Sequence, residues 1–413
     1  MEYGLIGEKL GHSYSPQIHA QLGNDAYELC PLSPDDLHAF MTKADFRGIN
    51  VTIPYKKAVL PYCSHLSADA REIGCVNTIV KQADGTLYGH NTDIAGFINM
   101  LQYAGIDAAG KKAVILGSGG TSLTASIALK RLKAREIVVI SRKGENNYES
   151  LYKKHSDAQL LVNTTPVGMY PNNGHSPADL SALPDLDSVV DVIYNPEKTA
   201  LIQQAHTLGL KAISGLYMLV SQARKAAELF SGVRIDEHLD EKIVTHIKKQ
   251  TLNLVLVGMP GCGKTTLGRL LAEIMCRPIF DIDAMVEEMC GKSIPDIFEQ
   301  DGESAFRRLE TLAIQKAGAM QGCVITTGGG AVLKEVNLLS MRQNGRICLV
   351  NRPLELLARD GRPLSQGDHA LESLWNQRKD YYRKAADFAV QNIGEINTAA
   401  QAVLEGFYEV AGH

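Results

Sequence analysis

Short hydrophobic runs that pass through a glycine turn into a helix-like stretch recur along this sequence. The clearest run, 254–257, leads into Gly258-Met259-Pro260-Gly261-Cys262-Gly263-Lys264-Thr265-Thr266. Another, 113–116, leads into Gly117-Ser118-Gly119-Gly120, a helical pattern over 123–132 and a further apolar run, 137–140. Alternation of strand, turn and helix predicts an α/β fold with parallel sheets. About 250 residues precede the first-named turn, so at least two modules are expected.

The turn from Gly258 to Thr265 has the form G-x-x-x-x-G-K-[ST], directly after a strand and before a helix. In a phosphate-binding loop of this form, backbone N–H groups surround an anion and the glycines permit its close approach. Lys264 would reach the terminal phosphates, and the Thr265 hydroxyl can ligate Mg²⁺. The alternative is a chance glycine turn, but the whole pattern favours a nucleoside triphosphate site formed by Gly258, Gly261, Gly263, Lys264, Thr265 and Thr266.

The second turn resembles the dinucleotide fingerprint, with Gly117, Gly119 and Gly120 in a strand–turn–helix setting. At the end of the next strand, where an NAD site would place an acid, stand Arg142 and Lys143. Two cations there favour the 2′-phosphate of NADP, and the alternative is a solvated basic turn.

Four polar clusters lie at strand ends within the first hundred residues. Ser13 and Ser15 precede a helix that is predicted to begin near Pro16, where hydroxyls can hold a carboxylate or simply cap the helix. The others are Asn50, Thr52 and Lys56; Asn77 and Thr78; and Asn91, Thr92 and Asp93. Carbonyl reduction leaves an alkoxide that must be protonated or held by a cation, which Lys56 with Asp93 would provide.

The composition indicates soluble domains that bind small molecules. A formal charge of −4 gives no basic surplus of the kind that nucleic-acid binding usually shows. The 8 cysteines are scattered without metal-ligand spacing, so we expect reduced thiols in the cytoplasm. There is no leader-like start and no apolar run long enough to cross a bilayer, so no membrane partner is expected.

Residues 1 to about 248 resemble the shikimate dehydrogenase family. The matching motifs are H-S-x-S-P-x-x-H from His12 to His19, N-V-T-x-P-x-K from Asn50 to Lys56, V-N-T at 76–78, N-T-D at 91–93, the Gly117 turn, N-T-T-P-V-G-M at 163–169 and the Gln222 helix. The resemblance implies reversible reduction of 3-dehydroshikimate by NADPH, with Lys56 and Asp93 as the catalytic pair. Ser13 and Ser15 would hold the substrate carboxylate, and its ring hydroxyls would contact Thr52, Asn77, Asn91 and Gln222.

The nucleotide-binding part departs from the family pattern. Between Arg142 and Asn163 there are about twenty residues, too few for the further strand–helix unit of the family, so a trimmed domain is predicted. The usual N-R-T is replaced by Ser141-Arg142-Lys143. A quinate/shikimate dehydrogenase that uses NAD is therefore kept as an alternative.

Residues from about 252 onward resemble shikimate kinase, through the phosphate loop, the D-x-D of Asp281 and Asp283, the segment 306–310 and the glycines 328–330. The resemblance implies shikimate contacts from Asp283, Arg307, Gly329 and Arg378, with Asp283 as base toward the 3-hydroxyl. The nucleotide would be ATP. Lys264 and Arg362 would stabilise its transferring phosphoryl group, Thr265 and Asp281 would hold Mg²⁺, and Arg359 would lie on the adenine.

Simpler interpretations exist for several of these residues. A D-x-D pair is often only a helix cap, and Arg307 or Arg378 could be exposed helix charges. A carboxylate substrate favours arginine as its bidentate partner. The lid from Arg359 to Arg362 is shorter than in the family.

We therefore predict an α/β substrate domain, 1–105, closed by a helix over 218–248; a Rossmann-like NADP domain, 106–217; and a P-loop kinase domain with a parallel sheet, 252–413. The chain would be a bifunctional enzyme that makes shikimate and phosphorylates it. A ligand-sensing regulator without turnover is the alternative of another class, disfavoured by the catalytic side chains and by the lack of a helix-turn-helix pattern. The sequence leaves oligomeric state, inter-domain geometry and channelling open.

Overall fold

The structure is a computed structural model that describes residues 1–11, 13–357 and 370–412. It forms two compact units. The first comprises Met1–Gly168, His175–Tyr194 and Gln204–Val244, and the second comprises Met169–Gly174, Asn195–Gln203 and Thr245–His413. The second unit thus includes two short segments from the first half of the sequence. The predicted domain limits at 105, 217 and 252 stay predictions.

The first sheet of the first unit is mixed, with the strand order β2-β1-β3-β5-β6-β4. Strands β1 to β3 are parallel, and β5 is antiparallel to both of its neighbours. Its elements are β1 Tyr3–Gly7, α1 Ser15–Gln21, β2 Tyr27–Pro31, α2 Asp36–Lys43, β3 Gly48–Val51, β4 His65–Leu66, α3 Ala68–Ile73, β5 Thr78–Lys81, β6 Leu87–His90 and α4 Asp93–Tyr103. The loop that contains Lys56 follows β3, which ends before Pro54 because proline cannot continue a ladder.

The second sheet of this unit is parallel, with the strand order β11-β10-β9-β7-β8. Its elements are β7 Lys112–Leu116, α5 Gly120–Arg131, β8 Glu136–Ile140, α6 Tyr148–Lys154, β9 Leu160–Asn163, β10 Ser188–Asp191, α7 Ala200–Thr207 and β11 Lys211–Ser214. Strand β8 is an edge, with only the short helix α6 between it and β9. The predicted trimming is confirmed.

The region 218–248, predicted to close the substrate domain as a helix, is helical over most of its length. Two helices occupy this region, α8 Leu216–Ser231 and α9 His238–Thr251. Helix α8 ends at Gly232, which adopts a left-handed conformation (φ 70°) that suits glycine. Asp240 and Ile243 of α9 are buried, and Asp240 pairs with Arg224 of α8.

The sheet of the second unit is parallel, with the strand order β13-β14-β12-β15-β16. Its elements are β12 Asn253–Val257, α10 Lys264–Met275, β13 Ile279–Asp281, α11 Ile282–Cys290, α12 Ile294–Gln300, α13 Gly302–Gly318, β14 Val324–Thr326, α14 Glu335–Arg342, β15 Gly345–Asn351, α15 Ala370–Ala385, β16 Phe388–Gln391 and α16 Ile396–Ala411. Every residue of β12 is buried, as expected for a central strand covered on both faces. The phosphate-loop sequence follows directly after its carboxyl end.

Candidate active sites

The predicted catalytic pair of the first unit is in direct contact. The Nζ atom of Lys56 lies 2.6 Å from Oδ2 of Asp93. Asp93 is the first residue of α4, where the helix dipole favours a negative charge. Its side chain is 9% exposed and that of Lys56 is 30% exposed, so the ammonium group reaches accessible space from a nearly buried carboxylate.

Asn77 joins this pair to Gln222. Its Nδ2 atom donates to Asp93 Oδ1 at 2.9 Å and lies 3.4 Å from Gln222 Oε1 on α8. Its Oδ1 atom accepts from the backbone N–H of Thr92 at 2.8 Å. The structure thereby brings Lys56, Asn77, Asp93 and Gln222 together from four separate parts of the sequence.

The two serines lie at the start of α1. The Ser13 hydroxyl donates to the Ser15 hydroxyl at 3.0 Å, and the Ser15 backbone N–H donates to Ser13 Oγ at 3.2 Å. The two hydroxyls therefore form one polar group, which is compatible with a carboxylate site. The motif's first residue, His12, lies outside the described residues.

Thr52 and Asn91 make hydrogen bonds to the protein backbone. The Thr52 backbone N–H donates to Ile6 O, which fixes the start of the Lys56 loop against β1. The Asn91 amide is engaged at both ends, since Oδ1 accepts from the Asp93 backbone N–H and Nδ2 lies 3.4 Å from Cys75 O. Their predicted contacts with a substrate stay predictions.

The glycine turn after β7 is built for close packing. Gly117 has a φ of 101°, and a Cβ there would lie 2.9 Å from Thr165 Cγ2. The neighbouring loop is held by Asn163, whose Nδ2 donates to Asp191 and whose Oδ1 accepts from Thr165. Gly119 and Gly120 open α5 with free space on their Cβ side, as expected of a turn that cradles a phosphate. The turn fits a dinucleotide pyrophosphate.

Arg142 and Lys143 follow the edge strand β8 and are both exposed. They stand at the position that selects between the two dinucleotides. Exposure suits a phosphate ligand and also suits a solvated turn, so the predicted role in NADP binding stays a prediction.

The phosphate loop of the second unit has the backbone that its sequence requires. Gly258, Gly261 and Gly263 have φ values of 147°, 83° and 94°, which L side chains rarely adopt. Lys264 is 7% exposed, and its Nζ donates to the carbonyls of Gly258 and Met259, each at 2.9 Å. The ammonium charge is thus held inside the loop.

Thr265 and Asp281 converge as predicted for a metal site. The Thr265 hydroxyl lies 3.0 Å from Asp281 Oδ2, which also accepts from Thr326. Asp281 Oδ1 accepts from the backbone N–H groups of Asp283 and Ala284, so the residue is a helix cap as well. A hydroxyl and a carboxylate oxygen side by side fit Mg²⁺, which prefers oxygen ligands.

Asp283 lies in an environment that opposes ionisation. Burial, reinforced by the charges of Asp281 and Glu310, raises the pKa of Asp283 to about 6, although Lys264 and Arg307 act in the other direction. Among the described residues, its Oδ1 atom has no hydrogen-bond partner. A carboxylate of this pKa is suited to general-base catalysis near neutral pH.

Arginine side chains surround the same space. Arg307 donates to the buried Glu310 at 2.9 Å, and Arg378, 7% exposed, donates to Gly329 O at 3.1 Å. A Cβ at Gly330 would lie 2.4 Å from Arg307 Nη1, and one at Gly329 would lie 2.7 Å from a Pro260 carbon. The glycines are therefore required for the arginine and the phosphate loop to approach this turn.

Most of the residues predicted to bind ATP and shikimate line one cavity of about 390 Å³. They are Gly261, Gly263, Lys264, Thr265, Thr266, Asp283, Arg307, Gly329 and Arg378. Arg307 and Arg378 are thus not merely exposed helix charges. The predicted lid residues Arg359 and Arg362 lie outside the described residues.

Comparison with known proteins identifies both parts of the chain. Residues 5–79 match the model of the shikimate dehydrogenase substrate binding domain, and residues 260–407 match that of shikimate kinase. The shikimate dehydrogenase (NADP(+)) of Clostridium perfringens strain SM101 is 36% identical over 270 residues, which are 60% of this chain and 98% of the relative. The chain belongs to the shikimate dehydrogenase family.

Solved structures agree. Shikimate 5-dehydrogenase of Thermus thermophilus, in complex with NADP(H) and shikimate, has a TM-score of 0.53 at 31% identity, covering 59% of this chain and 98% of its own. Quinate dehydrogenase of Corynebacterium glutamicum, in complex with NAD, has a TM-score of 0.54 at 29% identity, covering 59% of this chain and 98% of its own.

With its kinase domain, this member of the dehydrogenase family is a bifunctional enzyme of the shikimate pathway, an oxidoreductase and a kinase. The regulator alternative is not supported. No helix in the described part of the chain is long and apolar enough to span a membrane.

Sequence reasoning gave no role to several residues that shape the kinase site. Glu310, which is fully buried, holds Arg307 from one turn along α13, and the Tyr382 hydroxyl donates to Gly329 O. Glu310 lies three residues after Arg307, and Tyr382 lies four residues after Arg378, so each pair shares one helix face. This spacing was the sequence signal that could have identified them.

Proposed function

We propose that the N-terminal part catalyses the reversible reduction of 3-dehydroshikimate to shikimate with NADPH. The contact that carries this proposal is the Lys56–Asp93 pair, 2.6 Å apart and joined by Asn77 to Gln222. NADPH supplies a hydride when bound. Lys56 would hold and protonate the oxygen of the reacting carbonyl and would take the same proton back in the reverse direction, while Asp93 orients the ammonium group.

The remaining polar groups would orient the substrate and the cofactor. Ser13 and Ser15 would bind the carboxylate, and Thr52, Asn77, Asn91 and Gln222 the ring hydroxyls, as the family resemblance implies. The Gly117–Gly120 turn would hold the pyrophosphate. Arg142 and Lys143 would hold the 2′-phosphate that distinguishes NADP from NAD.

We infer that the C-terminal part transfers a phosphoryl group from ATP to the 3-hydroxyl of shikimate. The arrangement that supports this is the shared cavity, which is lined by Asp283, Lys264, Arg307 and Arg378. Asp283 would accept the hydroxyl proton, and the two arginines with Gly329 would hold the substrate carboxylate. Lys264 would bind the phosphates, and Thr265 with Asp281 would hold Mg²⁺, which neutralises phosphate charge when bound. As the resemblance implies, Arg362 would stabilise the transferring phosphoryl group and Arg359 would contact the adenine.

The two reactions are consecutive, because the product of the first is the substrate of the second. A covalent connection raises the local concentration of shikimate near the second site.

A coupled assay tests both assignments on the purified chain. Shikimate and NADP⁺ are mixed while absorbance at the reduced-nicotinamide band is recorded, and MgATP is then added. We expect reduced nicotinamide to form, and MgATP to lower its final extent by drawing shikimate away. Absence of reduction, with ATP still consumed in the presence of shikimate, would overturn the dehydrogenase assignment.

The quinate dehydrogenase similarity and the trimmed sheet favour testing one alternative, a preference for quinate or NAD. Initial rates with the four combinations of shikimate or quinate and NADP⁺ or NAD⁺ decide this. We expect the highest kcat/KM with shikimate and NADP⁺. If the ratio of kcat/KM with NADP⁺ to kcat/KM with NAD⁺ is unchanged in an Arg142→Ala variant, the role given to Arg142 is contradicted.

A further inference from the structure

A chain of hydrogen bonds leads from the core of the substrate domain to the catalytic carboxylate. The Tyr27 hydroxyl donates to Asn50 Oδ1 at 2.7 Å, and Asn50 Nδ2 donates to Thr78 Oγ1 at 3.0 Å. The Thr78 hydroxyl donates to Asn77 Oδ1 at 3.1 Å, and Asn77 Nδ2 donates to Asp93 Oδ1 at 2.9 Å. Thr78 is fully buried and Tyr27 is 5% exposed, so the inner links are shielded from water.

The direction of this chain is determined by groups that cannot reverse. Asn50 Nδ2 also lies 3.3 Å from the backbone carbonyl of Asn77, which can only accept. Asn77 Oδ1 faces the backbone N–H of Thr92, which can only donate. Between them the Thr78 oxygen accepts from Asn50, so its hydrogen is directed to Asn77 Oδ1.

Asp93 depends on this direction. With its amide as found, Asn77 presents an N–H to Oδ1 of the carboxylate, and Oδ2 is left to receive Lys56. In the reversed orientation an amide oxygen would face the carboxylate, which is repulsive and would displace the carboxylate from Lys56.

We propose that Thr78 is a positioning residue of the dehydrogenase, which together with the Thr92 backbone N–H holds the Asn77 amide so that Asp93 and Lys56 keep their reactive alignment. Thr78 is fully buried and acts through Asn77. The inference rests on the proposed dehydrogenase function for its effect on rate, whereas the hydrogen-bond chain itself can be tested without turnover.

Two substitutions of Thr78 separate its hydroxyl from its volume. Thr78→Val keeps the shape and removes the hydroxyl, and Thr78→Ser keeps the hydroxyl and removes a methyl group. We expect Thr78→Val to lower kcat for shikimate oxidation roughly tenfold, since small misplacements of catalytic groups are costly. Thr78→Ser should stay within about twofold of the unmodified chain. Kinase activity, measured on the same preparations, should not change in either variant.

The second measurement is NMR of the full chain with ¹⁵N-labelled asparagine, with the Asn77 amide signals assigned by their loss in Asn77→Asp. These signals should shift in Thr78→Val and persist in Thr78→Ser. An unchanged kcat with unchanged Asn77 signals in Thr78→Val would overturn the proposal, as would equal losses of kcat in both variants. If the unmodified chain does not oxidise shikimate, the proposed function fails, and the Asn77 signals alone decide whether Thr78 orients the amide.

Discussion

Asp283 has to be ionised to accept a proton, yet its surroundings in the kinase part oppose ionisation. Burial is the main cause, and the charges of Asp281 and Glu310 add to it. The positive charges of Arg307 and Lys264 lower the pKa, which leaves it at about 6. The carboxylate is therefore ionised, as a base must be, at neutral pH. The same arginine and lysine are the groups expected to bind the substrates, which links acidity to binding.

The pH dependence of the kinase follows from this. The pKa of Asp283 is raised from its ordinary value of 3.8 to about 6, so the base becomes protonated as pH falls through about 6. We expect kcat/KM for shikimate phosphorylation to decline below about pH 6, and Asp283→Asn to abolish phosphorylation while shikimate oxidation persists. An acid limb near pH 4 would contradict this assignment. Measuring shikimate oxidation over the same range controls for acid unfolding.

At the level of elements, the junction of α8 and α9 is held by charge as well as by apolar packing. The Nε atom of Arg224 lies 2.7 Å from Oδ1 of Asp240, and both side chains are buried. Glu228 adds a second carboxylate one turn along α8. Removing one partner of a buried pair leaves an uncompensated charge, which is more costly than loss of the pair as a whole. Helix α8 carries Gln222, so the junction supports the dehydrogenase site.

We expect Asp240→Ala to destabilise the first unit by about 3–5 kcal/mol. The temperature at which dehydrogenase activity is lost should fall, with kinase activity assayed in parallel. Glu149→Ala is the matched control, because Glu149 pairs with Lys153 at the surface, where both side chains are 70% exposed and such pairs contribute little. Equal effects of the two substitutions would contradict a structural role for the Arg224–Asp240 pair.

At the level of the complete chain, the second unit is larger than the kinase sequence. Its segment Asn195–Gln203 comes from the first half of the chain. Within this unit, Glu197 accepts from both Nη atoms of Arg346 at 3.2 Å, and Arg346 is 4% exposed. Glu197 therefore supplies the countercharge of a buried arginine on β15. A chain cut at residue 252 would lack it.

The Glu197–Arg346 pair gives a prediction on stability. Glu197→Gln should lower the thermal midpoint of kinase activity, by an amount equivalent to about 3 kcal/mol, because Arg346 stays buried without its partner. The double variant Glu197→Gln with Arg346→Met should recover part of the loss, since the buried Arg346 charge is removed together with its partner. Absence of recovery would contradict an electrostatic origin.

The pH dependence of this loss provides a further check on Glu197. Burial opposes its ionisation, but Arg346, Lys198 and Lys248 hold its pKa at about 2, below the ordinary 4.5. A depressed carboxylate pKa contributes stability that is complete above pH 4.5 and is lost as pH falls toward 2. The difference between Glu197→Gln and the unmodified chain should therefore shrink over that range.

The order of amino acids alone specifies the local units and their chemistry. The phosphate loop, the glycine turn after β7 and the short spacing after Arg142 each depend on backbone rules that act over a few residues, so they were predictable. The α/β class followed for the same reason. The end of α8 at Gly232 is a local signal of the same kind, because glycine accepts the left-handed conformation found there.

Which distant residues meet became clear only from the folded chain. Asn77 and Gln222 lie 145 positions apart and come within 3.4 Å. Glu310 has a role only because folding places it where it binds Arg307 and where its charge raises the pKa of Asp283. Burial, which raises the pKa of Asp283 and forces Glu197 and Arg346 to pair, depends on packing between elements. Local pattern specifies strands, turns and helices, whereas desolvation and the direction of a hydrogen-bond chain exist only after those elements have packed.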